Sequence, residues 1–365
     1  MNLTLDIHPL EKFIVFGAPD IGEQEIQAVT EVLESGWIGT GKVAKELEEE
    51  FVKYMQGGYA IAVSSCSIGL VLALKSVGVS HGDSVITSPL TFCATVNAIL
   101  QLGARPVFCD VDSRGCLDNR EVLKKDLKSI AAILPVNYTG FQAKGGYDYT
   151  IPWVEDAAHS FGGTYLGKKQ GSFGDVSVFS LYATKNITSA EGGIIWTKHK
   201  ELADQLRILS QQGQTAGAWK RYSSEEPKDY EVLIPGYKAN LPDVLAAIGL
   251  VQMRRWPEIK RKRDLIWNIY EQAFGPKETG HSRHLYTIQV KGRKDIRKRL
   301  FDRHIGTGIH YHPLHLEPAY KFLGYKKGDF PKAEKIGEET LSLPISAKMT
   351  TDDARRVVEE VKCLI

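Results

Sequence analysis

The chain is short of charge of one sign, of paired cysteines and of long apolar runs, and each shortage removes a class of function. Its 46 Lys and Arg nearly balance 44 Asp and Glu, leaving a formal charge of +2. A domain-wide basic field is therefore missing, and nucleic acid is not favoured as a partner. No apolar stretch approaches the ~20 residues that span a bilayer, so no membrane partner is expected. The opening stretch, MNLTLDIHPLEKF, lacks a charged segment followed by a long apolar one and does not read as a secretion signal. The five cysteines, Cys66, Cys93, Cys109, Cys116 and Cys363, are odd in number and form no C-x-x-C pair. That argues against a disulfide framework and a zinc site. Cys93 and Cys109 read as small buried hydrophobes, and a cytoplasmic setting fits. No G-x-G-x-x-G follows a strand signal, which argues against a nicotinamide enzyme.

What is present fits two packed domains, as 365 residues allow. Up to about residue 255, helix and strand signals alternate. Helical spacing marks Ile21 to Leu33 and Val43 to Tyr54. Apolar runs of strand length are YAIAV (59–63), SVITS (84–88), PVFCDV (106–111), IAAILPV (130–136), IPWVEDAA, DVSVFSLY and GIIWT. Fully apolar strands separated by helices imply an α/β fold with a mostly parallel sheet sandwiched by helices. Residues 1–255 are thus expected to form a large domain. A smaller α+β domain is expected over 256–365: a helix at 257–275, the strand HLYTIQV, a basic helix at 292–303, a strand near GTGIHY and a closing helix. Lys260, Arg261, Lys262 and Arg263 read as a solvated helix face.

In such sheets ligands bind at the carboxyl ends of the strands. That rule selects Ser64–Ser67, Pro89–Phe92, Asp156–His159 and Ser180–Lys185. Ser65, Cys66 and Ser67 stand where a strand gives way to a helix, whose free N–H groups suit a phosphate; a plain N-cap serves equally well. Asp156, just past a strand, either holds a protonated ring nitrogen or caps a helix. His159 reaches the same ligand or fills a gap. Lys185 sits among small and hydroxylated residues; desolvated, such an amine becomes a nucleophile toward carbonyls. The Gly192–Gly193 pair lets the backbone turn tightly back into the sheet. The order of these features is what speaks: phosphate turn, stacking aromatic, strand-end Asp, then Lys. Pyridoxal 5′-phosphate (PLP) needs all four. His310 and His312 share one face of the expected strand; with His315 they are not read as a metal site.

At these residues the chain resembles the DegT/DnrJ/EryC1/StrS family of sugar aminotransferases. The stretches S-G-W-I-G-T-G, A-V-S-S-C-S, E-D-A-A-H, G-S-F-G-D, T-K-N-I-T-S-A-E-G-G, G-Y-K-A-N-L-P-D and I-G-T-G-I-H-Y carry the likeness over nearly the whole chain. The wording K-N-I-T-x-A-E-G-G and G-Y-K-x-N-L-P-D most resembles members that make UDP-4-amino-4-deoxy-L-arabinose. The resemblance implies a fold-type-I PLP aminotransferase, a homodimer whose active sites lie at the subunit interface. It implies L-glutamate as amino donor and a nucleotide-linked keto-sugar, aminated at C4, as acceptor. By position, Lys185 is the Schiff-base lysine and Asp156 the partner of the pyridine nitrogen. His159 lies near the ring hydroxyl and Phe92 stacks on the ring. Ser65, Cys66, Ser67 and Ser180 cradle the phosphate, and Asn240 reaches it from the neighbouring subunit. Arg221 and Lys238 are candidates for the nucleotide diphosphate, and the resemblance implies that the stretch with His310, His312 and His315 borders the substrate. Relatives that act as PMP-dependent dehydratases carry histidine at the Schiff-base position, and a non-catalytic paralogue would lack the lysine or the aspartate; both are present. The chain departs from the family at Cys66, Ala239 and Asn137, and its segment between Gly140 and Ile151 is shorter.

Overall fold

The computed structural model describes residues 12–145, 150–215 and 229–365. Seven strands build the main sheet: β1 (Tyr59–Val63), β2 (Ser84–Thr87), β3 (Arg105–Phe108), β4 (Ala132–Leu134), β5 (Val154–Asp156), β6 (Val176–Ser180) and β7 (Gly193–Thr197). Each overlaps an apolar run that the sequence marks as a strand. Their order is β1-β7-β6-β5 and β4-β2-β3, the two groups joined by parallel bridges Ile133–Trp153 and Val136–Asp156. β7 alone among the seven runs antiparallel to both its neighbours; the β5–β6, β2–β4 and β2–β3 pairs are parallel. The sheet is mostly parallel, as the doubly apolar strands required.

Helices cover both faces. Alternate residues of β1 divide between two cores, as strand geometry demands. Ile61 and Val63 pack with α3 (Cys66–Ser76) and α5 (Lys200–Ser210). Ala60 and Ala62 pack with α2 (Lys42–Met55) and α6 (Asp243–Arg254). α1 (Glu23–Glu34) lies against α6, and α4 (Cys93–Gln101) against α3.

A separate core forms from α7 (Trp256–Phe274), α8 (Arg293–Asp302), α10 (Thr351–Lys362) and the antiparallel pair β8 (Tyr286–Gln289) and β9 (Thr340–Leu343). We propose the domain boundary at 255/256, where α6 meets α7. Two segments cross it. Ile14 pairs with Ile305 and packs in the C-terminal core. Leu314, Tyr320, Phe330 and Ile336, the last on α9 (Pro331–Glu339), pack instead with Leu90, Val96 and Phe108.

Two expectations change. GTGIHY forms no strand: Gly308 exchanges hydrogen bonds with Ser342, after which the chain leaves the sheet and Pro313 has no N–H to offer a ladder. His310 and His312 therefore share no strand face; His310 is half-buried and His312 exposed. Arg263 does not belong to a solvated face. It is 4% exposed, and its guanidinium donates to the carbonyls of Arg283, His284 and Ile345. A helix-face reading cannot see the carbonyl-lined gap into which it turns. Lys260 and Lys262 do pair with acids, Asp264 for the first, Asp20 and Glu258 for the second.

Candidate active site

The register of the sheet sets the site. Val63 lies opposite Gly193, Gly193 opposite Ser180, and Val178 opposite Asp156. The turn Ser64–Ser67, the segment after Ser180 and the segment after Asp156 consequently leave the sheet at one edge.

Ser65 is the N-cap of α3, its Oγ accepting from the Ile68 N–H at 3.3 Å. The cap reading of this turn holds, and it takes up only the third N–H, leaving those of Cys66 and Ser67 outside the cap. Gly193 makes the turn possible. A Cβ there would stand 2.8 Å from the Cys66 nitrogen and 2.9 Å from the Ser65 carbonyl carbon, so only glycine lets β7 pass so close. The expected tight turn at Gly192–Gly193 falls elsewhere: Ala190 takes the left-handed conformation, with φ 67°. The small hydroxylated neighbours explain how, since the Ala190 N–H donates to Thr188 Oγ1 at 2.9 Å.

Asp156 is 5% exposed. Its Oδ2 accepts from Thr95 Oγ1 at 2.7 Å and its Oδ1 from the Ala158 N–H at 3.2 Å. Thr91 Oγ1 stands 2.7 Å from Thr95 Oγ1. Thr95 spends its proton on Asp156, so Thr91 donates to Thr95 and a buried hydroxyl chain ends on the carboxylate. Burial nevertheless holds the Asp156 carboxyl above its ordinary value, against the Thr95 and Ala158 hydrogen bonds and the Lys185 charge. A buried carboxylate in this state gains from a cation brought to it.

Lys185 lies in the loop after β6. Burial pushes its amine down to about 8, opposed by Cys66 and Asp156. The next residue locks the loop: Asn186 Nδ2 donates to the Phe161 carbonyl at 2.7 Å and the Ser282 carbonyl at 2.9 Å, and Asn186 Oδ1 meets His284 Nδ1 at 3.2 Å. His159 is buried, with the His284 ring 4.7 Å away. Its Nδ1 accepts from the Thr139 N–H at 3.2 Å, and its Nε2 stands 3.1 Å from Tyr311 Oη. Burial first, then the Lys185 charge, keeps His159 neutral.

Phe92 is the N-cap residue of α4, 56% exposed, its ring 5.9 Å from that of Tyr311. Ser180 is buried at the end of β6, its Oγ accepting from the Tyr182 N–H. His310 Nδ1 meets Ser342 Oγ at 2.8 Å, with the ring stacked on Phe16; burial and the Lys185 charge push its imidazole down to about 3. Lys185, Asp156, His159, Cys66 and His310 thus gather at one place. Asn240 and Lys238 line a cavity of about 620 Å³ with Trp37, Thr40 and Arg207. Asn240 is bridged by backbone to Val63, and its Nδ2 donates to Thr40 Oγ1. Arg221 lies outside the described residues.

Sequence reasoning assigned no role to Thr95, Asn186, Tyr311 or Thr139. Thr91 and Thr95 do leave a trace, two hydroxyls one helical turn apart. Tyr311 leaves none, since its partner is 152 residues away.

A desolvated lysine, a buried carboxylate and an open helix N-terminus on one sheet edge define a PLP-dependent enzyme of fold type I. The DegT/DnrJ/EryC1/StrS aminotransferase family matches residues 19–362, and the chain belongs to it. It is 39% identical to the spore coat polysaccharide biosynthesis protein SpsC of Bacillus subtilis, over 97% of each chain. Among solved structures it is similar to the putative sugar aminotransferase Spr1654 of Streptococcus pneumoniae. The PMP form of that protein superposes with a TM-score of 0.88 at 32% identity, covering 96% of this chain and 98% of the other; its PLP form gives 0.87. PseC of Helicobacter pylori, an aminotransferase involved in pseudoaminic acid biosynthesis, gives 0.88 at 25% identity, covering 96% and 99%. The cofactor of this sugar aminotransferase is PLP.

Proposed function

We propose that the chain moves an amino group from L-glutamate to a nucleotide-linked keto-sugar, at C4 of a UDP-4-keto-sugar. One observation carries the catalytic part: a lysine amine lowered to about 8 by burial stands in the field of a buried carboxylate at the same sheet edge. The likeness to the enzymes that make UDP-4-amino-4-deoxy-L-arabinose supports the acceptor.

The residues present fit PLP. The α3 N-terminus with Ser65, Cys66, Ser67 and Ser180 would hold the phosphate, Asp156 the ring nitrogen, Lys185 the aldehyde carbon and Phe92 one ring face. When bound, PLP supplies the electron sink that lets an amino group leave one carbon and join another. The protein does the rest. Asp156, braced by Thr95, keeps a proton on the ring nitrogen. Lys185 Nζ, when free, would take the proton from the donor α-carbon and serve as the base of the reaction. His310, held neutral, borders the acceptor with His312. In a homodimer Asn240 would reach the partner's phosphate turn, and Lys238 and Arg221 would meet the diphosphate. The chain would work in the cytoplasm.

The test is a visible spectrum of the purified protein before and after glutamate, followed by UDP-, dTDP- and GDP-keto-sugars with product mass as readout. A lysine-linked band that glutamate discharges, and amination of one UDP-keto-sugar, is the expected result. The proposal falls if glutamate leaves the band unchanged or if Lys185→Ala retains turnover.

A further inference from the structure

The two-stranded sheet of the C-terminal unit has one apolar face and one polar face. Tyr286, Ile288, Leu341 and Leu343 pack in the C-terminal core. Their neighbours Thr287, Gln289, Thr340 and Ser342 point the other way, with Thr287 opposite Ser342 and Gln289 opposite Thr340. Three of these four, Thr287, Gln289 and Thr340, border a cavity of about 490 Å³ between the C-terminal unit and the large one. Small-molecule sites run from ~300 to ~1,000 Å³ and favour such interfaces. Tyr138, Phe141 and Phe274 give the cavity aromatic walls.

Arg114 and Lys277 also line it, and their charges differ in how they are met. Arg114 is spent: Asp112 Oδ2 takes its Nε at 2.9 Å and its Nη2 at 2.6 Å, and Glu278 Oε2 takes its Nη1 at 3.1 Å. Lys277 Nζ donates to the Thr287 carbonyl at 2.8 Å and lies 4.8 Å over the Tyr286 ring. An ammonium has three N–H donors, so two stay without a partner among the described residues. Glu271 is the one acid among those residues whose charge acts on this amine, and its Oε1 accepts from the Lys277 backbone N–H at 3.0 Å. Burial holds the amine below the ordinary lysine range, as expected of a cation without a close counter-ion.

The polar face also leads to the active site. Tyr138, which lines the cavity, donates from Oη to the His310 carbonyl. Two residues along β9 from Thr340, Ser342 Oγ meets His310 Nδ1 at 2.8 Å. His310 is therefore held on two sides by groups that the cavity borders or continues into.

We propose that this cavity is an effector site for a small organic anion, one carboxylate or phosphate on a flat apolar body, with Lys277 taking the charge and Phe141 and Phe274 the body. Through Tyr138 and β9 its occupancy shifts His310 and with it the hold on the keto-sugar. That second half rests on the reading that His310 borders the acceptor.

Titration calorimetry of the PLP-loaded enzyme with phenyl phosphate and with benzoate tests the site, because binding needs no turnover; the tighter of the two identifies the head group. Benzyl alcohol lacks the charge and inorganic phosphate lacks the body, so each should bind about tenfold more weakly or worse. Lys277→Met keeps the stem, removes the charge and should weaken the anion by the same factor. Gln289→Trp fills the cavity from an exposed strand end and should abolish binding, whether or not Lys277→Met folds. No binding of either anion, or an affinity unchanged in either variant, overturns the site. In steady-state assays the bound anion should change the KM for the keto-sugar by on the order of fivefold in the wild type, and this response should vanish in Gln289→Trp. Binding that leaves the wild-type KM in place overturns the effector role. Failure of the functional reading looks different: no keto-sugar is aminated, while calorimetric binding and its loss in the two variants persist.

Discussion

Replacing Thr95 by valine tests how the site keeps Asp156 charged. The substitution preserves shape and removes one hydroxyl from a buried chain, Thr91 to Thr95 to Asp156. Oδ2 then loses its 2.7 Å donor, while Oδ1 keeps the longer bond from Ala158. A hydrogen bond to a charged group contributes roughly 1.5–3 kcal/mol. Burial already raises the Asp156 carboxyl, and the Thr95 bond opposes it; its loss raises the carboxyl further. The sign follows: less of the enzyme carries a carboxylate at low pH, so the acid limb of the kcat profile moves to higher pH. If the full bond acts in the transition state, kcat falls between about tenfold and a hundredfold. Steady-state kinetics across pH on Thr95→Val, with Thr95→Ser as the variant that keeps the donor, provide the assay. Equal kcat and an unmoved acid limb in Thr95→Val would refute the argument that this hydroxyl sustains the Asp156 charge.

Three further outcomes are expected. Gly193→Ala brings a Cβ to 2.8 Å from the Cys66 nitrogen, against the backbone of Ser65 and Cys66; it should cost ~1–3 kcal/mol and weaken PLP retention, checked by denaturant melts and equilibrium dialysis, and wild-type values in both would contradict it. The rate of PLP capture by apoenzyme should rise with pH and level off above about 8, because only the neutral Lys185 amine adds to an aldehyde and burial lowers it to that point; a stopped-flow rate still climbing toward the ordinary lysine value of 10.5 would show that the amine is not desolvated. Asn186→Ala deprives the Phe161 and Ser282 carbonyls of their donor; a loss of ~1–3 kcal/mol is expected, with a broadened visible band, and an unchanged melt and band would count against the lock.

The sequence disclosed the parts of this site that obey strand-end rules. Ser65–Ser67, Asp156 and Lys185 each follow an apolar run, and the sheet register brings those runs to one edge. The strands themselves were legible because β1, β6 and β7 are buried along nearly their whole length and carry no competing helical period. What stayed hidden depends on long-range geometry. Tyr311 meets His159 only after the chain, beyond Gly308, parts from its pairing with β9, and nothing in GTGIHY distinguishes that departure from a strand. Arg263 looked like one cation among four because its carbonyl partners come from segments 20 to 82 residues away. The antiparallel sense of β7 was equally silent, since side-chain burial does not record strand direction.

Asn186 gives the catalytic loop an unusual moorage. Its amide holds the Ser282 carbonyl and meets His284, while Arg263 grips the carbonyls of Arg283 and His284 from the first helix of the C-terminal unit. The stretch 282–284 is thereby fastened to both units, one residue from the lysine on one side and at the root of the small core on the other. A shift of the C-terminal core would pull on stretch 282–284 and, through Asn186, on the lysine backbone. Ligands that draw the C-terminal unit inward would realign the reactive amine in the same stroke, and damage to that distant core would register as a change of colour at the active site.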